Sequence, residues 1–283
     1  MEKIADIQLI QTDHFSIEVY KDLFNKRIRV DDLCGNIPKA IKKAESVANS
    51  LHAEKIIIKA RKEYFVKLIE HGYQCEAVIE NYFLGSNLYF FCKYCTNERR
   101  TSTQWLNEDQ IVKNVLALER NSHPILPPSE YKLKKITIED AKCLASLYEK
   151  VFQIYPTPLN DPQYIENTIL EGTIYYCFQH HGEIVSAASA EVNSFYKNAE
   201  LTDCATLPEH RKHGLMKFLL EKLEADLKEN GVYCAYSIAR SLSFGMNAAL
   251  HQLGYYYRGR LINNCYIFDK LEDMNVWVKD LSK

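Results

Sequence analysis

LTDCATLPEHRKHGLM, residues 201–216, is the stretch whose reading decides the fold. Its first half reads as a strand, Pro208 turns it, and Gly214 precedes Leu215, Leu219, Leu223 and Leu227, spaced every four residues with charges between them. The stretch is thus a strand entering an amphipathic helix, with Gly231 at the helix's C-terminal cap. A helix start offers amides without intrahelical partners and the positive end of the helix dipole. A glycine there lets a bulky diphosphate approach the backbone. The residues alone leave two readings open: a pyrophosphate-binding turn, or an ordinary strand-turn-helix whose Arg211, Lys212 and His213 are merely solvated.

Working outward, the pattern predicts a strand in YKLKKITI from Tyr131 and a helix in DAKCLASLYEKVF, opened by Thr137 and Asp140 as a capping pair. A second helix is expected over 161–171, then strands over 173–180, 184–193 and 199–207. After the leucine-spaced helix come the strand VYCAYSIA, a helix near 242–253 ended by Gly254, and a last strand in YYYRGRLINNCYIF. The predicted order is β-α-α-β-β-β-α-β-α-β, an α/β (α+β) module over residues 131–283. Three prolines in residues 121–130 follow a helical stretch over 104–120 and mark a linker, leaving 1–120 as a separate module.

That first module echoes the second. GNIPKAIKKAESVANSLHAEKIIIKAR (35–61) and GLMKFLLEKLEADLKENGVYCAYSIAR (214–240) share length, helix-then-strand order and a closing Ala-Arg. The parallel continues from Leu68–Tyr73 to Leu250–Tyr255, and from Ile79-Glu-Asn81 to Ile262-Asn-Asn264.

Composition narrows the function. The 283 residues are 47% hydrophobic and 25% charged, which allows two folded modules with a substantial core. With 35 basic and 37 acidic side chains, the net charge of −2 provides no field drawing the protein to nucleic acid or membrane, so a small-molecule partner is expected. The N-terminus does not resemble a leader and no apolar run approaches a membrane span, which points to a cytoplasmic protein. The nine cysteines are odd in number and scattered through apolar segments. They are read as reduced packing residues, including the lone Cys92-Lys-Tyr-Cys95, which lacks a second ligand pair for zinc. No metal is expected. The apolar helix and tyrosine-rich C-terminal strands are compatible with a homodimer.

Leu-Pro-Glu-His-Arg-Lys-His-Gly-Leu (207–215) resembles the acetyl-CoA signature of the GNAT N-acetyltransferases, hydrophobic-Pro-x-x-Arg/Gln-x-x-Gly-x-Gly/Ala, with Arg211 and Gly214 in place. The likeness implies a mixed, mostly antiparallel GNAT sheet over about 131–283, preceded by a degenerate GNAT-like half-module. It also implies acetyl-CoA as cosubstrate, held by Thr206, Leu207, Arg211, Lys212, His213, Gly214, Leu215 and Met216. Met216 departs from the usual Gly or Ala. Ser243 stands where many members have a CoA-contacting Asn, with Asn247 a turn later as its substitute, and Leu250 stands where many have a tyrosine acid. In the N-terminal echo Asp32 stands where Arg211 does, so that half is not expected to hold CoA.

The resemblance implies direct attack of an amine on the thioester beside strand 201–207, with a backbone N–H near Cys204 donating to the developing oxyanion. The Cys204 side chain itself reads as packing. An alkylammonium must lose a proton before attack, and Glu200, Asp203 and Glu191 are the candidate carboxylates for proton removal or ammonium binding. Strand alternation puts Glu200 and Asp203 on opposite faces unless a β-bulge intervenes. The N-terminal half, Asp-Cys-Ala-Thr-Leu-Pro and Ser-x-Gly-Met-Asn-Ala further resemble beta-lysine N6-acetyltransferases. That implies a diamino-acid substrate, in archaea the precursor of a compatible solute, with Arg240 as the expected partner of its carboxylate. A non-catalytic acyl-CoA sensor, or transfer to a polyamine or a protein lysine, are the alternatives.

Overall fold

A computed structural model describes residues 5–120, 127–152, 155, 157–267 and 270–282. The first half runs β1 (Ala5–Gln11), β2 (Phe15–Asp22), β3 (Arg27–Gly35), α1 (Ile37–Ser50), β4 (Lys55–Ala60), α2 (Phe65–Glu70), β5 (Gln74–Phe83) and β6 (Ser86–Tyr94). Helices α3 (Asn97–Arg100) and α4 (Trp105–Leu116) follow. The second half runs β7 (Tyr131–Lys135), α5 (Ala141–Val151), α6 (Pro162–Leu170), β8 (Ile174–His180), β9 (Glu183–Asn193) and β10 (Asn198–Thr206). It ends with α7 (Leu215–Glu229), β11 (Cys234–Arg240), α8 (Phe244–Gln252), β12 (Tyr256–Ile267) and β13 (Lys270–Asp280). Most of the proline-rich linker, 121–126, lies outside the described residues. No helix among the described residues is long and apolar enough to cross a membrane.

Local chemistry explains the element starts. Thr137 and Asp140 form the expected capping box ahead of α5, with the Thr137 amide donating to Asp140 Oδ2 at 3.1 Å. Asn36 accepts from the Lys39 amide at the start of α1, and Asp161 accepts from Gln163 ahead of α6. Leu215, Leu219, Leu223 and Leu227 of α7 are all buried in the core of the second half, together with Leu250, Tyr255 and Trp277.

The last strand is a correction. The order expected from sequence ends at a single strand, but β13 returns from β12 and inserts between β12 and β11. Its sequence, KLEDMNVWVKD, buries Glu272, Asp273 and Asn275, so hydrophobic alternation does not reveal it. Helix α4 also stops at Leu116, short of Arg120.

Among the described residues one sheet of 13 strands runs β1-β2-β3-β4-β6-β5-β12-β13-β11-β10-β9-β8-β7. In each half a parallel pair is joined by one helix, β3–α1–β4 and β10–α7–β11, and the last two strands form an antiparallel hairpin. The order β2-β3-β4-β6-β5 is therefore retraced as β9-β10-β11-β13-β12, and the halves meet where β5 pairs antiparallel with β12. A shared apolar cluster including Ile57, Leu88 and Phe90 with Cys234, Tyr236 and Val276 fills this junction.

Polar groups fasten it further. The β12 register breaks between Leu261 and Cys265. Lys55 Nζ donates to Ile262 O (2.6 Å), Arg99 Nε to Asn263 O (2.8 Å) and Arg27 Nη1 to Asn264 O (2.8 Å). Three cations of the first half thus satisfy carbonyls that the irregular strand leaves out of its ladder.

Candidate active site

The parallel strands β10 and β11 pair only from Asn198↔Cys234 to Glu200↔Tyr236, although β10 continues to Thr206 and β11 to Arg240. Beyond Glu200 they part, opening the sheet at the residues singled out from sequence. On its other side β10 bulges: Thr202 faces Ser189 and Ala205 faces Ala187, so Asp203 and Cys204 together oppose one residue of β9. Asp203 takes the left-handed conformation, φ 51°, which Asp tolerates better than most residues.

The bulge resolves the alternation problem. Glu200 and Asp203 line the same cavity of about 300 Å³, and Glu191, the cross-strand partner of Glu200, lines it too. Two carboxylates opposite each other on a strand pair repel. Burial, then the Glu191 charge, raises Glu200 to about 7. Burial and Glu191 likewise raise Asp203 to about 7, although Ser189 Oγ donates to its Oδ2 at 2.8 Å. Desolvation also raises Glu191, which Arg29 and Lys59 partly offset. A carboxylate with a pKa near neutrality can take a proton from an ammonium at working pH and release it afterwards. The Cys204 thiol is pushed upward by burial and donates to Thr202 O, so it is not disposed to act as a thiolate nucleophile.

Next to the opening, Leu207 leads through Pro208–His210 to an exposed turn, Arg211 to Gly214. Gly214 occupies the cap of α7 with φ 73°, no side chain caps the helix, and its first turn carries no acidic residue. The turn thus fits an anionic diphosphate, with the amides of Leu215 and Met216 at the helix start. The Met216 side chain is partly buried and packs against the core of the second half. Arg211 Nε donates to Thr206 O (3.2 Å) and Ser186 shares a hydrogen bond with Thr206 Oγ1 (2.8 Å), which brace the strand end.

The corresponding place in the first half is closed. No eight-residue turn separates β3 from α1: β3 ends at Gly35, and Asn36 and Pro38 occupy the helix start. Asp32 lies within β3 opposite Glu18 rather than in a turn, and Asp31 bonds to Arg29 and Lys59.

The structure gives two of the expected residues partners within the protein. Asn247 is fully buried: its amide donates to Arg240 O and Ser243 O, and its Oδ1 accepts from Asn275 and Trp277. It ties α8 to β11 and β13 and has no capacity left for a cofactor. Arg240 pairs with Glu272 at 2.8 Å and is not part of the cavity wall that holds the three carboxylates. Ser243 sits at the start of α8, half-buried, with its carbonyl accepting from Asn247. Leu250 is buried in the core.

The opposite wall of the cavity was not anticipated. Tyr20, Arg29 and Lys59 from the first half line it, while Tyr155 and Tyr164 from the second complete the lining on the side of Asp203 and Glu191. The strand registers of the two halves relate this wall to the carboxylate wall. Arg29 pairs with Ile57 and Tyr20 as Glu200 pairs with Tyr236 and Glu191, so Arg29 is the counterpart of Glu200 in the other half.

Residues 144–255 match the Acetyltransferase (GNAT) family. The chain is 36% identical over 282 residues to the beta-lysine N(6)-acetyltransferase of Methanococcus maripaludis, covering 99% of both chains. It is 40% identical over 264 residues to the N-acetyltransferase YodP of Bacillus subtilis, covering 92% of this chain and 94% of that one. The chain belongs to the GNAT family of acetyltransferases and is an acetyl-CoA-dependent N-acetyltransferase. A second beta-lysine N(6)-acetyltransferase, of Methanosarcina mazei, is 36% identical over 230 residues, covering 74% of this chain and 85% of that one. Among solved structures, an N-acetyltransferase from Staphylococcus aureus aligns over 54% of this chain and 99% of its own at 16% identity, with a TM-score of 0.48.

Proposed function

We propose that the protein moves an acetyl group from acetyl-CoA to the terminal amine of a small diamino acid, with beta-lysine the leading candidate, giving N6-acetyl-beta-lysine. One observation carries this reading: the bulge at Asp203 gathers Glu191, Glu200 and Asp203 in one walled cavity beside the opening between β10 and β11. A walled cavity of about 300 Å³ suits a small ammonium-bearing molecule better than a lysine on a protein surface. The near full-length likeness to two beta-lysine N(6)-acetyltransferases supports the substrate assignment.

In this reading acetyl-CoA supplies the activated acyl group, and Arg211 to Met216 hold its diphosphate. The second half, 131–283, carries the transfer, while 1–120 completes the substrate cavity. Glu200 accepts the ammonium proton, directly or through water. Asp203 and Glu191 hold the amine-bearing end, and the Cys204 amide, within the bulge, donates to the oxyanion. Thiol release measured with beta-lysine, lysine, ornithine and spermidine tests the assignment: beta-lysine should give the highest kcat/KM, and a preference for spermidine would overturn it.

A further inference from the structure

The first half presents the cavity with a built cationic site. Asp31 accepts from Arg29 Nε at 2.6 Å and from Arg29 Nη2 at 2.9 Å, and pairs with Lys59 Nζ at 2.8 Å. Burial would raise the Asp31 carboxyl, but the two cations outweigh it and hold it well below the usual range. The Tyr20 ring lies under the guanidinium, 4.7 Å from ring centre to carbon, and fixes its plane. One carboxylate thus orients two cations, leaving the group with a net positive charge. The neighbouring Arg27 does not add to it, because Asp22 neutralises that side chain at 2.9 Å.

This charge faces Glu191 and Glu200 across the cavity, near enough for Arg29 and Lys59 to act on both carboxylates. Yet neither cation forms an ion pair with them: their partner is Asp31. The two walls therefore stand apart with opposite sign. A polyamine, cationic along its length, gains nothing from the Arg29 wall and is repelled by it. A molecule with a terminal ammonium at one end and a carboxylate at the other satisfies both.

We propose that Arg29 and Lys59, oriented by Asp31, bind the carboxylate of the amino-acid substrate, so that the half lacking the acetyl-CoA turn sets substrate specificity. The proposal rests on the acetyltransferase reading of this cavity, and it assigns the role once expected of Arg240 to a different element. Guanidinium and ammonium differ in what they provide: Arg29 is held as a planar fork, and Lys59 acts as a movable point charge. Removing Lys59 leaves the Arg29–Asp31 pair in place, so Lys59→Met is the cleaner probe.

Calorimetric titration of the full-length protein with beta-lysine and with 1,4-diaminopentane, its decarboxylated analogue, isolates the carboxylate. Lys59→Met should weaken beta-lysine binding by about tenfold or more, in the range for losing a charge-assisted bond, and leave the diamine unchanged or tighter. Lys59→Arg should restore most of the loss, and Arg29→Lys, which keeps the charge but not the fork, should reproduce it where Lys59→Met folds poorly by circular dichroism. Equal effects on both ligands, or none on beta-lysine, would overturn the proposal. Thiol release measured alongside separates the two ideas: carboxylate-dependent binding without acetyl transfer to beta-lysine would remove the substrate reading and leave the carboxylate site standing.

Discussion

Gly259 of β12 pairs with Ala77 of β5, and the two are counterparts in the internal repeat, each lying four residues past the matched tyrosines Tyr255 and Tyr73. The halves therefore meet through equivalent positions on an approximate two-fold axis. The contact is too close for a side chain: a Cβ on Gly259 would lie 2.2 Å from Glu76 O and 2.7 Å from Ala77 Cα, and φ is 128°.

Gly259→Ala should consequently cost about 2 kcal/mol or more in unfolding free energy, from backbone strain and displacement of β5 together. Gly182→Ala is the control, since Gly182 also has a positive φ (85°) but nothing within 4 Å of the added methyl. Chemical denaturation of both variants checks this. Equal losses would mean that the close approach at the junction does not matter.

Much of the second half was legible because its signals are local: Pro208 and Gly214 bracket a turn, four leucines define one face of α7, and Thr137 with Asp140 opens α5. What escaped depends on contacts between distant segments. Asn247 looks like an available polar group until β13 brings Asn275 and Trp277 to it. Arg29 and Lys59 read as ordinary strand charges, and only the β5–β12 junction turns them toward Glu191 and Glu200. The bulge lay between these cases. Its need was visible in the three-residue spacing of Glu200 and Asp203, but no glycine marked it, because Asp203 itself adopts the left-handed backbone.

Glu200 and Asp203, both raised to about 7, make the substrate-free protein less stable as pH rises. In the unfolded chain these groups ionise near pH 4, so between about pH 4 and 7 the folded state binds more protons than the unfolded one. The unfolding free energy therefore falls with rising pH through that window, as far as these two groups determine it. Melting curves from pH 5 to 8 should show a steeper decline for the wild type than for the Glu200→Gln, Asp203→Asn double variant. Parallel curves would show that the two carboxyls ionise as freely in the folded protein as in the unfolded chain.

The turn ahead of α7 is expected to be the one site for acetyl-CoA in the chain, since β3 runs directly into α1, with Asn36 as its cap and Pro38 in its first turn, and leaves no matching turn. Gly214→Val places a β-branched residue at φ 73°, where such residues rarely occur, and adds bulk beside the diphosphate amides. Titration calorimetry should show strongly weakened acetyl-CoA binding by this variant with its secondary structure intact. Native mass spectrometry of the wild type should show one CoA per chain. Unchanged affinity in Gly214→Val, or two CoA molecules on each chain, would move the site elsewhere.

The three carboxylates should separate by kinetic signature. If Glu200 is the proton acceptor, Glu200→Gln lowers kcat by about a hundred- to ten-thousand-fold at neutral pH, the usual contribution of general-base catalysis. Activity then recovers in part as pH approaches the amine's own pKa of about 10, where free amine arrives without help. If Asp203 instead grips an ammonium group, Asp203→Asn raises KM with a smaller effect on kcat. Because both carboxyls lie near 7 and Asp203 feels the charges of Glu191 and Glu200, the acidic limb of the wild-type profile belongs to the cluster rather than to one residue. The limb should therefore shift downward in Asp203→Asn, which removes a neighbouring negative charge, and vanish in Glu200→Gln. The reverse pattern, with the limb intact in Glu200→Gln and lost in Asp203→Asn, would assign proton removal to Asp203, the residue that the bulge at φ 51° brings into the cavity.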